Sequence, residues 1–213
     1  MEHLGHTRTE HLADGIVHFL SVAAALAGAA FLVTWSLIDR SGEHSGVILI
    51  YSFGLIASFS LSAAYNMTHH ARLRAILRRF DHAAIFVMIA GTYTPIALIG
   101  IGGKVGWFLV LAAWSIAGIG VILKLFFFHK AYRAVFFLYL LQGWLAVIVI
   151  VPMVRDLSLP VLILVAVGGL IYTLGTIIHH RENWAYNRAI WHGFVLAAAA
   201  VHFVAVFELA KTA

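Results

Sequence analysis

The sequence contains no cysteine and few charged residues, and both shortages limit what the protein can be. Without cysteine the chain cannot form a disulfide, a thiolate metal site or a cysteine nucleophile. Charged residues make up 11% of the chain and hydrophobic residues 62%, whereas a soluble domain has roughly 25% charged and about 45–50% apolar residues. This composition excludes a soluble globular domain, a disordered chain and a nucleic-acid-binding domain, and it predicts a membrane-embedded bundle.

Long apolar runs fill most of the chain. A transmembrane helix needs about 20 mostly apolar residues, and seven runs have this length: 15–38, 46–67, 83–102, 105–123, 134–154, 158–178 and 190–210. The polar opening segment does not resemble a signal peptide, so we expect the first run to remain as a helix. The sequence therefore predicts an all-α fold, a single seven-helix membrane domain over residues 1–213.

Basic residues are distributed unequally between the predicted loops. Ten of the fourteen lysines and arginines lie on the side of the N-terminus, and only Arg40, Lys104, Arg155 and Lys211 lie on the other. Because cytoplasmic loops are enriched in Lys and Arg, we expect the N-terminus in the cytoplasm and the C-terminus outside. The basic loop 69–81 is predicted to lie on anionic headgroups, so membrane lipids are the expected partners.

Polar side chains recur at helical spacing near one end of four predicted helices. They are Glu10, Asp14 and His18 on helix one, Ser62 and Asn66 on helix two, Asp81 on helix three, and Arg188 and His192 on helix seven. Residues four apart share a helix face, and ionisable groups inside a membrane are costly enough to mark a functional site. With a cytoplasmic N-terminus all eight lie near the cytoplasmic surface, so we predict one polar site there.

Small residues and one proline predict how the helices pack. Gly118 with Gly120, and Gly168 with Gly169, are expected to let neighbouring helices approach closely. The segment GTYTP (91–95) is expected to kink helix three at Pro95, with its threonine hydroxyls bonding freed backbone groups. No lysine lies at mid-membrane in the last helix, which argues against a retinal-binding photoreceptor.

Four stretches of the sequence resemble the hemolysin III family, which belongs to the progestin and adipoQ receptor superfamily. They are EHLADGIVH (10–18), SAAYN (62–66), RRFDHAAIFVMIAGTYTP (78–95) and AIWHGFVLAAAAVHF (189–203). The resemblance implies a seven-helix fold with an inside N-terminus, in a bacterial inner membrane. It also implies a zinc ion near the cytoplasmic side and, from eukaryotic relatives, hydrolysis of a lipid amide.

The zinc motif of the superfamily fits this sequence at some positions only. The residues that fit are Glu10 (shifted by one position), Asp14, His18, Ser62, Asp81 and His192. Asn66 and Arg188 stand where two histidine ligands are expected. An amide is a poor zinc ligand and a guanidinium has no free lone pair, so we expect the family's zinc site to be lost and no cofactor to be held. In its place we expect Arg188 to pair with Asp81 in an arrangement that can extend to Asp14, because a buried charge in a membrane must be paired. Asn66 and His192 are expected to bond around this pair.

Three functions remain open from the sequence. The first is a multi-pass protein without metal that acts in membrane homeostasis or ligand sensing. The second is a zinc-dependent hydrolase of lipid amides or esters, in which Asp81 or Ser62 positions the activated water. Its metal would be held by His192 with substitute ligands: His18, Asp81 and one of His69, His70 or His82. The third is a transporter or proton relay. Cytolysis, which the family name implies, is not expected of a resident membrane protein with seven spans.

Overall fold

The computed structural model describes residues 7–39, 44–128, 130, 132–181 and 183–212, and this part of the chain is helical and contains no strand. Its helices are α1 (Arg8–Asp39), α2 (Ser45–Met67), α3 (Ala71–Pro95), α4 (Gly103–Phe126), α5 (Tyr132–Gly143), α6 (Leu145–Ile148), α7 (Ile150–Asp156), α8 (Leu159–His179) and α9 (Asn187–Thr212). The predicted all-α fold is confirmed. Arg40, one of the residues behind the predicted charge bias, lies outside the described residues.

Six of these helices are long and apolar enough to cross a membrane. They are α1, α2, α3 with its π-helical continuation Ile96–Ile101, α4, α8 and α9. The fifth predicted span, 134–154, is divided among α5, α6 and α7. At the two breaks the backbone bonds span three residues, from Val147 N to Trp144 O at 3.0 Å and from Val149 N to Ala146 O at 3.2 Å. Such steps tighten a helix locally, so residues 132–156 form a bent helical segment.

The distortion of α3 lies where the sequence places Pro95. The α-helix ends at this proline and continues as π-helical turns. Thr92 Oγ1 donates to Met88 O at 2.9 Å, and Thr94 Oγ1 donates to Ala90 O at 2.8 Å. Each hydroxyl therefore bonds the carbonyl four residues back, which satisfies a polar side chain inside an apolar helix.

The helices pack side by side in an order that follows the sequence. α1 contacts α2, α2 contacts α3 and α3 contacts α4, while α9 packs against both α8 and α1. One apolar core lies between α1, α2 and α9 around Leu32 and Ile48, and another surrounds Phe86 and Leu109 between α3, α4 and the bent segment. Large apolar side chains such as Phe19, which is 74% exposed, cover the outer surface. The contact of α9 with α1 brings the starts of these two helices together.

Candidate functional site

α1 begins with a capping box. Thr7 Oγ1 accepts a bond from Glu10 N at 3.3 Å, and Glu10 Oε2 accepts one from Thr7 N at 2.8 Å. This reciprocal pair satisfies backbone donors that a helix start leaves free. The other carboxylate oxygen, Oε1, accepts from Tyr186 N at 3.0 Å. The predicted site residue Glu10 therefore anchors the start of α1 to the loop that precedes α9.

The first residue of α9 fixes that helix against the end of α8. Asn187 is buried, and its Nδ2 donates to Ile178 O at 2.6 Å and to Arg181 O at 2.9 Å. These carbonyls also accept backbone bonds from Arg181 N and Trp184 N, so the amide of Asn187 ties the turn after α8 to the start of α9. Because α9 starts at a fixed point, the positions of its site residues Arg188 and His192 are fixed as well.

Three predicted site residues meet inside the bundle, namely Asp14 and His18 of α1 and His192 of α9. Nδ1 of His192 donates to Oδ1 of Asp14 at 2.7 Å, and Nε2 of His18 lies 3.6 Å from the same oxygen. The imidazole rings are 4.2 Å apart between centroids. Asp14 and His18 are buried, and His192 is partly buried. We call these three residues the Asp–His–His cluster.

The Asp–His–His cluster offers the donor set of a metal site. One ligand atom from each residue lies within 4.8 Å of the other two, and two imidazoles with a carboxylate are a known zinc ligand set. Nε2 of His18 is buried and has no hydrogen-bond partner among the described residues. An orphaned buried nitrogen is costly, and coordination to an ion would remove that cost. The residues present therefore fit a divalent metal such as zinc.

Asp81 and Ser62, which the sequence suggests as catalytic, form a second pair beside the cluster. The Ser62 hydroxyl donates to the Asp81 carboxylate, and His192 lies within electrostatic range of that carboxylate. Lys124 of α4 and Arg78 of α3 also act on Asp81 electrostatically. Asp81 therefore interacts electrostatically with one member of the Asp–His–His cluster and with two cations.

Arg188 lies at the mouth of the site and does not form the predicted ion pair. It lines a cleft of about 10 Å³ together with Glu10 and Asp14, which is room for roughly one water molecule. Its charge acts on Asp14. No ion pair within 4.0 Å joins Arg188 to Asp81 among the described residues. The reason is position: Arg188 is in the first turn of α9, level with Glu10, and the residue that meets a carboxylate is His192 one turn further in.

Asn66 also remains outside the Asp–His–His cluster. Its Nδ2 donates to Ser62 O at 3.0 Å, a bond within α2 to the residue one turn back. This bond holds the amide along its own helix. The amide nitrogen of Asn66 is thus used by the backbone of α2.

Of the histidines predicted as substitute ligands, His18 lies in the cluster, whereas His69, His70 and His82 do not. His70 accepts a backbone bond at the start of α3, His82 packs edge-on against an aromatic ring, and His69 is exposed. Among the described residues the carboxylate of the candidate metal group is Asp14, in place of the predicted Asp81. Asp14 takes this position because it lies on the same face of α1 as the first histidine of the cluster, one turn away.

Lys124 is a buried charge that sequence reasoning missed. It lies in the last turn of α4 and is 3% exposed. Its Nζ lies 4.8 Å from the ring centroid of Phe128, and Cζ of Arg78 lies 5.0 Å from the same centroid. A charged residue within the end of an apolar helix is itself a sequence signal, and it could have identified Lys124.

Known proteins resemble this chain over most of its length. The profile of the family described as "Haemolysin-III related" matches residues 6–203. Hemolysin-3 of Bacillus cereus is 32% identical over 199 residues, which cover 92% of this chain and 90% of the relative. The Hemolysin-3 homolog of Bacillus subtilis (strain 168) is 32% identical over 200 residues, 94% of each chain. The human monocyte to macrophage differentiation factor is 31% identical over 210 residues, which cover 93% of this chain and 84% of the relative.

Proposed function

Since the chain belongs to the haemolysin-III related family of membrane proteins, we propose that its Asp–His–His cluster holds zinc and that it hydrolyses lipid amides or esters. The observation that carries this proposal is the convergence of Asp14, His18 and His192 from opposite ends of the sequence. The buried, unpartnered Nε2 of His18 supports it, because a metal ion would satisfy that nitrogen.

The packing supports seven membrane crossings for this single domain. The bond between His192 and Asp14 puts the start of α9 beside the start of α1. Helices α1 to α4 make four crossings, which return the chain to its starting side, and α8 makes one more. α9 can begin beside α1 only if the bent segment 132–156 also crosses, and at 1.5 Å per residue it extends about 37 Å against a core of roughly 30 Å. The basic loops favour a cytoplasmic N-terminus in a bacterial inner membrane.

Each residue of the site has a distinct role in this proposal. Asp14, His18 and His192 would hold the ion, which supplies a Lewis acid that activates water at neutral pH and polarises a carbonyl. Asp81, with its carboxylate oriented by the Ser62 hydroxyl, accepts a proton from the attacking water and returns it to the leaving amine or alcohol. The burial of Asp14 and His18 limits the access of other water.

The metal content of the detergent-purified protein, measured by inductively coupled plasma mass spectrometry, tests the site. We expect about one zinc per wild-type chain and less than about one tenth of that in Asp14→Asn and His18→Ala, because each variant removes one of three ligands. His180→Gln is the matched control, since His180 is exposed and lies outside the cluster. A wild-type protein without zinc after zinc supplementation would refute the proposal.

Asp81→Asn separates the chemistry from metal binding. We expect this variant to keep its zinc and to lose about 10²–10⁴-fold in hydrolysis, the usual contribution of a general base. The measurement is the release of fatty acid from labelled lipid amides and esters in mixed micelles. Unchanged hydrolysis in Asp81→Asn would show that this carboxylate is not the general base.

A metal-free function is the second candidate, and the 2.7 Å bond from His192 to Asp14 favours it. That bond and the nearby charge of Arg188 satisfy Asp14 without an ion. The protein would then be a scaffold in membrane homeostasis or ligand sensing. This candidate predicts no zinc in the wild type and zinc gained by the Asn66→His/Arg188→His double variant, which the first candidate does not predict.

A further inference from the structure

Two cations on neighbouring helices are held against one aromatic ring. Arg78 of α3 and Lys124 of α4 lie 5.0 Å and 4.8 Å, measured from Cζ and Nζ, from the ring centroid of Phe128. The Tyr139 ring of α5 lies 5.9 Å from Nζ of Lys124. Lys124 is almost fully buried and Arg78 is exposed. We call Arg78, Lys124 and Phe128 the cationic site.

The charges of the cationic site are not balanced by the described residues. Among these, no carboxylate lies within 4.0 Å of Arg78 or Lys124. Asp81 attracts both at longer range, but it also accepts a bond from Ser62 and interacts with His192. The two cations repel each other, and a charge buried at the end of a membrane helix requires a partner. A bound anion would therefore compensate the excess positive charge of the cationic site.

The surroundings of the site match the depth of lipid headgroups. Lys124 lies in the last turn of α4, and the exposed Phe126 follows two residues later. Arg79 Nη1 donates to Leu125 O at 3.0 Å, which fixes the start of α3 against the end of α4. The first eight residues of α3 include no acid. Their basic members are Arg72, Arg74 and Arg78. Aromatic and basic residues of this kind mark the membrane–water interface.

We propose that the cationic site binds the phosphate group of an anionic membrane lipid between α3 and α4. A phosphate supplies the missing negative charge, and its oxygens accept from the guanidinium fork of Arg78 and from the ammonium group of Lys124. The rings of Phe128 and Tyr139 lie 4.8 Å and 5.9 Å from Nζ of Lys124 and supply an apolar flank beside this ammonium group. Basic pockets between helices on the cytoplasmic side have the chemistry that holds lipid headgroups. This proposal does not depend on zinc or on hydrolysis.

Native mass spectrometry of the full chain in detergent tests the proposal, with phosphatidylglycerol, phosphatidylcholine and inorganic phosphate as probes. We expect phosphatidylglycerol to bind in preference to phosphatidylcholine. Its affinity should fall about fivefold in Arg78→Gln and again about fivefold when Lys124→Gln is added, the effect of one basic residue near an anionic headgroup. Arg72→Gln is the matched control, because Arg72 is exposed on the same helix and lies outside the site.

Three results would overturn the proposal. An equal loss in Arg72→Gln would mean that binding follows the general charge of α3. Unchanged affinity for phosphatidylglycerol in Arg78→Gln would show that the cationic site does not bind the lipid. Because Arg78 is exposed, this variant remains informative even where Lys124→Gln lowers the yield of folded protein. Inorganic phosphate that binds as tightly as the lipid would identify a soluble anion as the ligand. Zinc measured in the same samples keeps this result separate from that of the proposed function.

Discussion

Glu10 and Asp14 lie one turn apart on the same face of α1, yet the structure uses them differently. Glu10 completes a capping box with Thr7 and bonds the backbone of Tyr186. Asp14 is buried and accepts a bond from His192. Their spacing alone does not separate these roles, because it fixes only the face of the helix on which both side chains lie. The contacts with the loop before α9 and with α9 itself make the distinction.

At the scale of single residues we predict that Glu10 contributes to stability and not to metal binding. Glu10→Ala should lower the free energy of unfolding by about 0.5–2 kcal/mol, because it removes half of the capping box. Glu10→Gln should retain most of the stability, because glutamine also serves at this position. Unfolding in a titration with a denaturing detergent measures both variants. A loss of zinc from Glu10→Gln would instead place this residue in the metal site.

At the scale of elements, the bent segment shows how a neighbouring helix breaks an apolar run. The sequence predicts one helix over 134–154, but the helix is interrupted at Trp144 and at Val149. The hydroxyl of Tyr93 on α3 donates to Gly143 O at 2.9 Å and accepts from Ala146 N at 3.0 Å. These two bonds bridge the interruption at Trp144. They come from another helix, so the apolar run itself carries no sign of them.

The glycine pairs show that a small residue matters only where a helix faces a neighbour. A Cβ added at Gly120 would lie 2.4 Å from the ring of Phe86, and one added at Gly168 would lie 2.2 Å from the ring of His202. At Gly118 and Gly169 it would meet nothing within 4 Å. The prediction of close approach is thus confirmed for one member of each pair, because the two glycines of a pair point to different sides of their helix.

We therefore predict opposite effects for two alanine variants of α4. Gly120→Ala should lower the free energy of unfolding by about 1–3 kcal/mol, because the Phe86 ring must move within a packed core. Gly118→Ala should leave stability unchanged or raise it by up to about 1 kcal/mol, because alanine favours the helix and meets open space. The midpoints of thermal unfolding in mild detergent compare the two. Equal midpoints would contradict the packing of α3 on α4.

At the scale of the whole molecule we predict that the bent segment crosses the membrane. The chain has no cysteine, so single cysteines can be introduced without background. Ser158→Cys should react with a membrane-impermeant maleimide in intact cells, whereas Lys130→Cys should react only after permeabilisation. Lys104→Cys is the outside control and Arg181→Cys the inside control, as the basic loops predict. If Ser158 and Lys130 were labelled from the same side, the seven-span topology would be wrong.

The sequence by itself determined the properties that depend on short stretches of chain. Apolar length predicts the membrane helices, because burying each run in lipid is a local property of its residues. Helical spacing places Asp14 and His18 on one face of α1, and Ser62 and Asn66 on one face of α2. Four motifs carry the resemblance to the hemolysin III family, which the family profile confirms.

Only the tertiary structure decided which of the polar residues meet. His192 reaches Asp14 across 178 residues of sequence, whereas Arg188, one turn earlier, does not reach Asp81. Lys124 comes to lie beside charges of α3 in the same way. Spacing along the chain fixes how side chains are arranged around one helix, but the rotation of each helix against its neighbours follows from the packing of both surfaces. For this reason spacing along the chain predicts which side chains share a helix face, but not which of them meet.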